Sequence, residues 1–415
     1  MDGWMASASA ADRVMALAGP PRRQLRRLFS AALAGVSPEE SVARALGRPD
    51  VARMLRGAGR IGIFAAGKAA GGMARAAAAR LGAVPLLAVL PRGQRLPRTP
   101  SGGIVLFAPH PEPDASSMRA ARAALRFFRG FGSSDVIVCL ISGGASSLLA
   151  LPRPGVSLAE KRRAVRELAA SGAPIEKINR LRTSLSAIKG GRLGRETRAM
   201  LVNLVISDVG EDDPAVVGSG PTIRRRRGRG TDLVRVIATN RDGLEAAAAE
   251  ARAMGLVPRI EPRRLSGDAH DAGLRLGKRA LALPPGGVLL AGGETTVPLP
   301  RRAKRGGRCL ELALAAAGPL RGAGDVHMLA AGSDGVDGSS GAAGAFVGGD
   351  TLSRAASRGP AGGRDRRRLD ARSLFRGRGD LFVTGPTGTN VADWVFAIRS
   401  GQPPEPRAKR HISRG

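Results

Sequence analysis

An α/β chain built around a doubly wound, mostly parallel sheet is what this sequence predicts, and three observations predict it. Short apolar runs bounded by Gly or Pro alternate with Ala-rich amphipathic stretches. Most of the runs are continuously apolar, the pattern of strands covered on both faces by helices. Segments rich in Gly, Ser and Asp recur directly after the runs, where open α/β sheets place their ligands.

Taken in order, the apolar runs predict buried strands at Ile61 to Ala66, Val84 to Leu90, Ile104 to Ala108, Val136 to Ile141, Leu201 to Ile206 and Val234 to Thr239. Three more follow at Gly287 to Ala291, Val326 to Ala331 and Leu381 to Thr384. Apolar residues at helical spacing predict helices over Ala69 to Leu81, Ala115 to Phe128, Leu158 to Ala170, Asp242 to Met254 and Leu310 to Ala316. The LPPGG segment around Leu283 to Gly287 divides a large N-terminal α/β domain, residues 1–283, from a smaller α/β domain, residues 287–398. Residues 399–415 combine Pro and basic charge without a periodic face, which predicts a disordered tail. The stretch Arg224 to Gly230, RRRRGRG, predicts an exposed loop.

Composition bounds the function. The chain has 415 residues, 43% of them hydrophobic, which excludes wholesale disorder. Two cysteines, Cys139 and Cys309, and four histidines exclude a disulfide framework, a Cys-based zinc site and a His-rich metal centre. No signal peptide or membrane span is visible, and free thiols fit a reducing cytoplasm, so a cytoplasmic protein is expected. The formal charge is +32, carried by 59 Arg and only 7 Lys, in a chain with 4 Asn, no Tyr and 3% aromatic residues. The basic runs are dispersed and not interleaved with aromatics. This reads as a solvated, arginine-rich surface, and no specific nucleic-acid partner is expected.

The strand-end loops carry the chemistry. SGGASS follows a strand, so Gly143 and Gly144 would let backbone N–H groups approach a phosphate while Ser142, Ser146 or Ser147 donate hydroxyls. Such turns also form for purely steric reasons. Gly62 to Lys68 matches GxxxxGK formally, but Gly62 lies inside a predicted strand and Ala69 stands where a P-loop has Ser or Thr, so no Walker A loop is read there. Lys68 itself is well placed to meet a phosphate as a point charge, or is a solvated lysine at a helix start. Asp208 in SDVGEDD and Asp334 in SDGVDG follow strands, where carboxylates hold Mg²⁺ beside phosphates or cap ordinary turns. His110 lies between two prolines, Asn179 and Arg182 are three apart on one helix face, and Arg308 opens a helix where it can fork onto an anion.

The ordered set GKAA, HPEPD, SGGASSLL, INRLR…LSAIKGGRL, SDVGEDD…GSGPT, GGETTV, GGRCLELALA, SDGVDG and TGPTGTNV resembles the glycerate 2-kinases whose C-terminal domain is called MOFRL, over about residues 10 to 398. The resemblance implies a cytoplasmic phosphotransferase of serine and glyoxylate metabolism, moving the γ-phosphoryl of MgATP to the 2-hydroxyl of D-glycerate to give 2-phosphoglycerate. By matched position it implies Lys68 and Arg308 at the reacting phosphate and glycerate. It implies Ser142, Gly143, Gly144 and Ser146, with Gly385, Thr387, Gly388, Thr389 and Asn390 of TGPTGTN, around ATP. His110, Asn179, Arg182 and Glu294 fall on the substrate side, and Asp208 and Asp334 on Mg²⁺. Some members are labelled hydroxypyruvate reductase, which makes NAD(P)H-dependent reduction the alternative. A basic binding protein with weakened catalysis is a third reading.

The chain departs from the family pattern at named positions. The usual His is Ser184, GGRNQE reads GGRCLE with Cys309 and Leu310, GEAR reads Gly267, Asp268, Ala269, His270, and RRRRGRG follows GSGPT. These changes put the strength of glycerate or nucleotide binding in question. The sequence leaves the oligomeric state open.

Overall fold

The computed structural model describes residues 20–94, 103–171, 175–224, 232–297, 306–353, 371–377 and 379–401. In chain order the helices and strands run α1 (Pro20–Gly35), α2 (Pro38–Leu46), α3 (Pro49–Arg56), β1 (Ile61–Ala66), α4 (Ala70–Leu81), β2 (Leu86–Pro91), β3 (Ile104–Ala108), α5 (Ala115–Arg129) and β4 (Val136–Ser142). They continue with α6 (Ala145–Leu148), α7 (Leu158–Ala170), α8 (Ile175–Ser184), β5 (Met200–Ile206), β6 (Leu233–Ala238), α9 (Asn240–Ala253), β7 (Val257–Ile260) and α10 (Ala269–Leu281). The last are β8 (Gly287–Gly293), α11 (Arg308–Leu320), β9 (Val326–Gly332), β10 (Gly344–Gly348), α12 (Ala371–Arg376), β11 (Leu381–Phe382) and β12 (Asp393–Arg399). The predicted strands fall on observed ones, and β7, β10 and β12 are additional.

Two units partition the chain. One holds residues 36–242 with 386–392; the other holds the described residues up to 35, 243–385 and those from 393 onward. The first is built on a six-stranded sheet of order β3-β2-β1-β4-β5-β6. Each of its ladders is parallel. β4, VIVCLIS, is buried from end to end, as a central strand covered on both faces must be. Phe64, Phe128, Ile137 and Leu201 pack the core on one face. Gly62 is a strand residue, as expected, and a Cβ there would overlap the Phe131 ring.

The second unit has a six-stranded mixed sheet, β11-β10-β9-β12-β8-β7. β7 runs parallel to β8, while the pairs from β8 through β12, β9 and β10 to β11 are antiparallel. Leu276, Leu310, Leu320, Met328 and Val395 build its core. On α1, Phe29 meets Phe382 and Trp394 edge-on at centroid distances of 4.8 and 5.6 Å.

The expected boundary at residues 283–287 falls inside this second unit. β7 pairs with β8 across it, and α10 packs on α11, so residues 243–283 cannot be separated from the strands that follow. Arg399, expected to open the tail, instead ends β12, and its Nε lies 2.7 Å from the Asp325 carboxylate. Residues 402–415 and most of the RRRRGRG stretch lie outside the described residues. Arg224 at its start is anchored: its Nε donates to Asp232 at 2.6 Å.

Candidate active site

The strand order of the first sheet reverses between β1 and β4, and in doubly wound sheets ligands bind outside the carboxyl ends of the strands at that switch point. The loops leaving these two strands contain Lys68 and the Gly143–Gly144 turn. They are tied together through the backbone: the Lys68 N–H donates to the Gly143 carbonyl at 2.8 Å, and the Ala69 N–H donates to Ser142 Oγ at 3.0 Å. Gln94 Nε2 donates to the Lys68 carbonyl at 2.9 Å.

Close packing explains both glycines. A Cβ on Gly143 would overlap the Asp208 carboxylate and the Asn390 amide, which bond each other at 2.8 Å. Gly144 has φ +86°, and a Cβ there would stand 3.2 Å from both Lys68 Cγ and His110 Cδ2. Lys68, His110, Asp208 and Asn390 are therefore gathered on one turn, and the resemblance implies a site role for all four. Asn390 reaches it because residues 386–392 belong to this unit. Its neighbour Thr389 donates from Oγ1 to the Val36 carbonyl at 3.4 Å. Gly385 belongs to the other unit.

Two expectations change. Ser142 is fully buried and its hydroxyl accepts from Ala69, so it braces the loops and does not face a ligand. The helix opened by Gly144 is only four residues long, so what the turn offers an anion is individual N–H groups more than a helix dipole. Ser146 is engaged within the protein, by Lys189 Nζ and by Ser219 Oγ at 3.1 Å. Asn179 and Arg182 do share a face of α8, with Arg182 donating to Asn179 Oδ1 at 3.3 Å.

In the second unit Arg308 starts α11 and is held by two carboxylates. It donates to Glu294, and its Nε lies 3.3 Å from Asp393 Oδ2. Burial opposes the guanidinium's charge, and Asp393 and Glu294 more than offset it, which raises its pKa. Asp393 is buried, and desolvation drives its carboxyl up to about 7 against the pull of Arg308. Asp337 accepts from the Cys309 and Leu310 N–H groups at 3.1 and 2.9 Å, capping α11, while burial raises its carboxyl to about 6. Asp334 accepts from the Val336 N–H at 2.9 Å, the turn role an Asp before Gly also fills. Sequence reasoning missed Asp393, whose VADWV setting reads only as an apolar run, and Lys189, quoted within a motif and given no role.

Asp208 and Asp334 sit in different units, and no three or more Asp, Glu, His or Cys side chains are arranged for a metal among the described residues. The departures are placed as well. Cys309 and Leu310 are buried in the core of the second unit, Asp268 caps α10 by accepting from the His270 and Asp271 N–H groups, and Ser184 is exposed.

A lysine on a glycine turn at a sheet's switch point, beside a carboxylate–amide pair, has the chemistry to take a phosphorylated or acidic group. Residues 24–252 match the family described as "Domain of unknown function (DUF4147)", and residues 287–393 match the MOFRL family. A protein of Agrobacterium vitis, provisionally named hydroxypyruvate reductase, is 38% identical over 92% of this chain and 94% of its own. The glycerate 2-kinase of Pyrococcus horikoshii is 32% identical over 90% and 96%. The crystal structure of Thermotoga maritima glycerate kinase aligns with a TM-score of 0.77 at 29% identity, over 91% of this chain and 99% of that one. These place the protein in the class of two-sheet α/β kinases. The chain belongs to the glycerate kinase family and carries a MOFRL domain.

Proposed function

We propose that the protein transfers the γ-phosphoryl group of MgATP to the 2-hydroxyl of D-glycerate, releasing ADP and 2-phosphoglycerate. The observation that carries this reading is the Lys68 turn: the Lys68 side chain packs against Gly144 at the switch point of the sheet, in a chain whose relatives are named glycerate kinases. Phosphoryl transfer asks mostly for positioning and charge neutralisation, which these groups supply. Lys68 neutralises phosphoryl oxygens, His110 lies over the same glycine, and Asp208, oriented by Asn390, is set to accept the proton of the substrate hydroxyl or to hold the metal. Within the second unit, Glu294 and Asp393 keep Arg308 cationic, a guanidinium able to take an anionic group.

Magnesium fits a single carboxylate beside a phosphate-binding turn, because Mg²⁺ is commonly held by one or two carboxylates with substrate phosphates and water completing the shell. Asp208 is the residue that would hold it, and when bound the ion would neutralise phosphate charge. Asp334, whose carboxylate serves its own turn, is the weaker candidate. A cytoplasmic location accompanies this reading.

The reductase name of the Agrobacterium relative is the second reading. The sheet has a dinucleotide-fold order, yet β1 ends in AAGKAAGG with no G-x-G-x-x-G. That favours the kinase. The test is D-glycerate with MgATP, coupled through enolase without a mutase. Signal lost in Lys68→Ala is expected. ADP formed only with another hydroxy acid would move the substrate, and hydroxypyruvate-dependent NAD(P)H oxidation without ADP would replace the reading.

A further inference from the structure

The first unit buries a second group of cations; the family resemblance implies a substrate role for Arg182 among them, and none for the two lysines. Lys161 on α7 is 5% exposed and Lys189, in the segment between α8 and β5, is 3% exposed; Arg182 on α8 is half-buried. These charges work against one another. Burial, then Lys161 and Arg182, hold the Lys189 ammonium well below the usual lysine range. Burial, then Arg182 and Arg192, push Lys161 down to about 8. The charged neighbours that shift these two ammoniums are themselves cations.

The local partners are only partly adequate. Arg192 is satisfied by the carbonyls of Thr183, Ser186 and Lys189 at 2.8 to 3.0 Å, and Lys189 donates to Ser146 Oγ. Lys161 Nζ is enclosed and has no hydrogen-bond partner. An ammonium carries three donors, and leaving a charged donor buried and unpaired is among the costliest arrangements in a protein interior. Like charges so placed persist where a ligand supplies the missing negative charge.

We propose that Lys161, Lys189 and Arg182, with the Ser146 hydroxyl, form a buried anion pocket that takes a compact oxyanion, the carboxylate or phosphoryl group of a small ligand. Lys161 and Lys189 carry the pocket on their own burial and partners; the roles of Arg182 and Ser146, and the choice of D-glycerate and ATP as probes, rest on the kinase reading. Binding is therefore read without turnover, on the full chain, by calorimetry and thermal unfolding with inorganic phosphate, D-glycerate and metal-free ATP.

The wild-type protein should show a saturable rise in Tm with at least one probe that chloride at matched ionic strength does not reproduce. Lys161→Met should raise the Kd of that probe at least about tenfold, the scale of one lost charged hydrogen bond. It should also hold or raise the ligand-free Tm, because a repelling buried charge is gone. Lys161→Arg should keep binding within a few-fold. Loss confined to D-glycerate identifies the carboxylate as occupant, and loss confined to phosphate and ATP identifies the phosphoryl group; either upholds the pocket. An unchanged Kd in Lys161→Met, or a lowered ligand-free Tm with binding intact, overturns it. Should Lys161→Met fail to fold, Lys161→Gln is titrated in its place, and an unchanged Kd for every probe overturns the proposal.

Discussion

Lys68 is fixed through its backbone and left half-exposed at its side chain, so its removal should separate chemistry from stability. Lys68→Ala is expected to lower kcat/KM by about 10² to 10³-fold, the scale of one lost electrostatic contact to a transition state, while changing unfolding free energy by less than ~0.5 kcal/mol. Urea unfolding beside steady-state rates checks both halves. Gly143→Ala should do the reverse, since the added carbon overlaps the Asp208–Asn390 pair: stability falls by ~1–3 kcal/mol along with activity. Titration gives a third residue-scale prediction. Asp393, raised to about 7, binds its proton more tightly folded than unfolded, so its ionised form costs stability, fully above pH 7 and not at all below pH 4. Unfolding free energy should therefore decline between about pH 4 and 7, and Asp393→Asn should flatten that slope by up to ~1.4 kcal/mol per pH unit. An unchanged slope in the variant would show that this carboxyl is not the titrating group. Lys68, His110 and Asp208 were legible because each follows an apolar strand. Asp393 was not, because it opens a strand that itself escaped notice.

At the scale of elements, legibility followed apolar content. IGIFAA and IVLFA coincide with β1 and β3, since a continuous apolar run between Gly and polar residues has little else to be. α10 was invisible because its buried face consists of Ala269, Ala272, Gly273, Gly277 and Ala280 with a single Leu276, and small residues leave no hydrophobic period. That face exists to let α11 approach: a Cβ on Gly273 would overlap the Leu312 carbonyl. β10, GAFVG, was hidden by its flanking glycines, and β7, VPRI, by Pro258 and its short length. α1, by contrast, carries Leu25, Leu28, Phe29 and Ala32 at helical spacing, a signal present but masked by the arginines between them. Gly62 offers an element-scale test of the rejected phosphate loop. Because β1 packs against the Phe131 ring there, Gly62→Ala should cost ~1–3 kcal/mol, and adding Phe131→Leu should recover part of it. If the glycine instead served a phosphate, the second substitution would restore nothing in urea unfolding, and ATP affinity alone would fall.

For the whole molecule the question is what a charge of +32 does. Part of the arginine is committed to ion pairs within each unit, such as Arg60 with Asp135, Arg235 with Asp50, and Arg399 with Asp325. Pairs like these, with one exposed partner, add little stability each and are screened by salt. The unpaired excess is dispersed along the chain without aromatic stacking platforms, so it should act as a diffuse field and not as a reading head. Duplex DNA would then bind through phosphate charge alone, with no preference among sequences and with affinity falling steeply between 50 and 200 mM salt. Because the Lys68 turn lies at the carboxyl end of the sheet, outside the basic runs of the sequence, D-glycerate turnover at 200 mM salt should be unaffected by added DNA. Fluorescence anisotropy with two unrelated duplexes, run alongside the coupled assay, measures both. Sequence-selective binding that survives 200 mM salt, in a protein that forms no ADP, would transfer the function from the switch point to the surface.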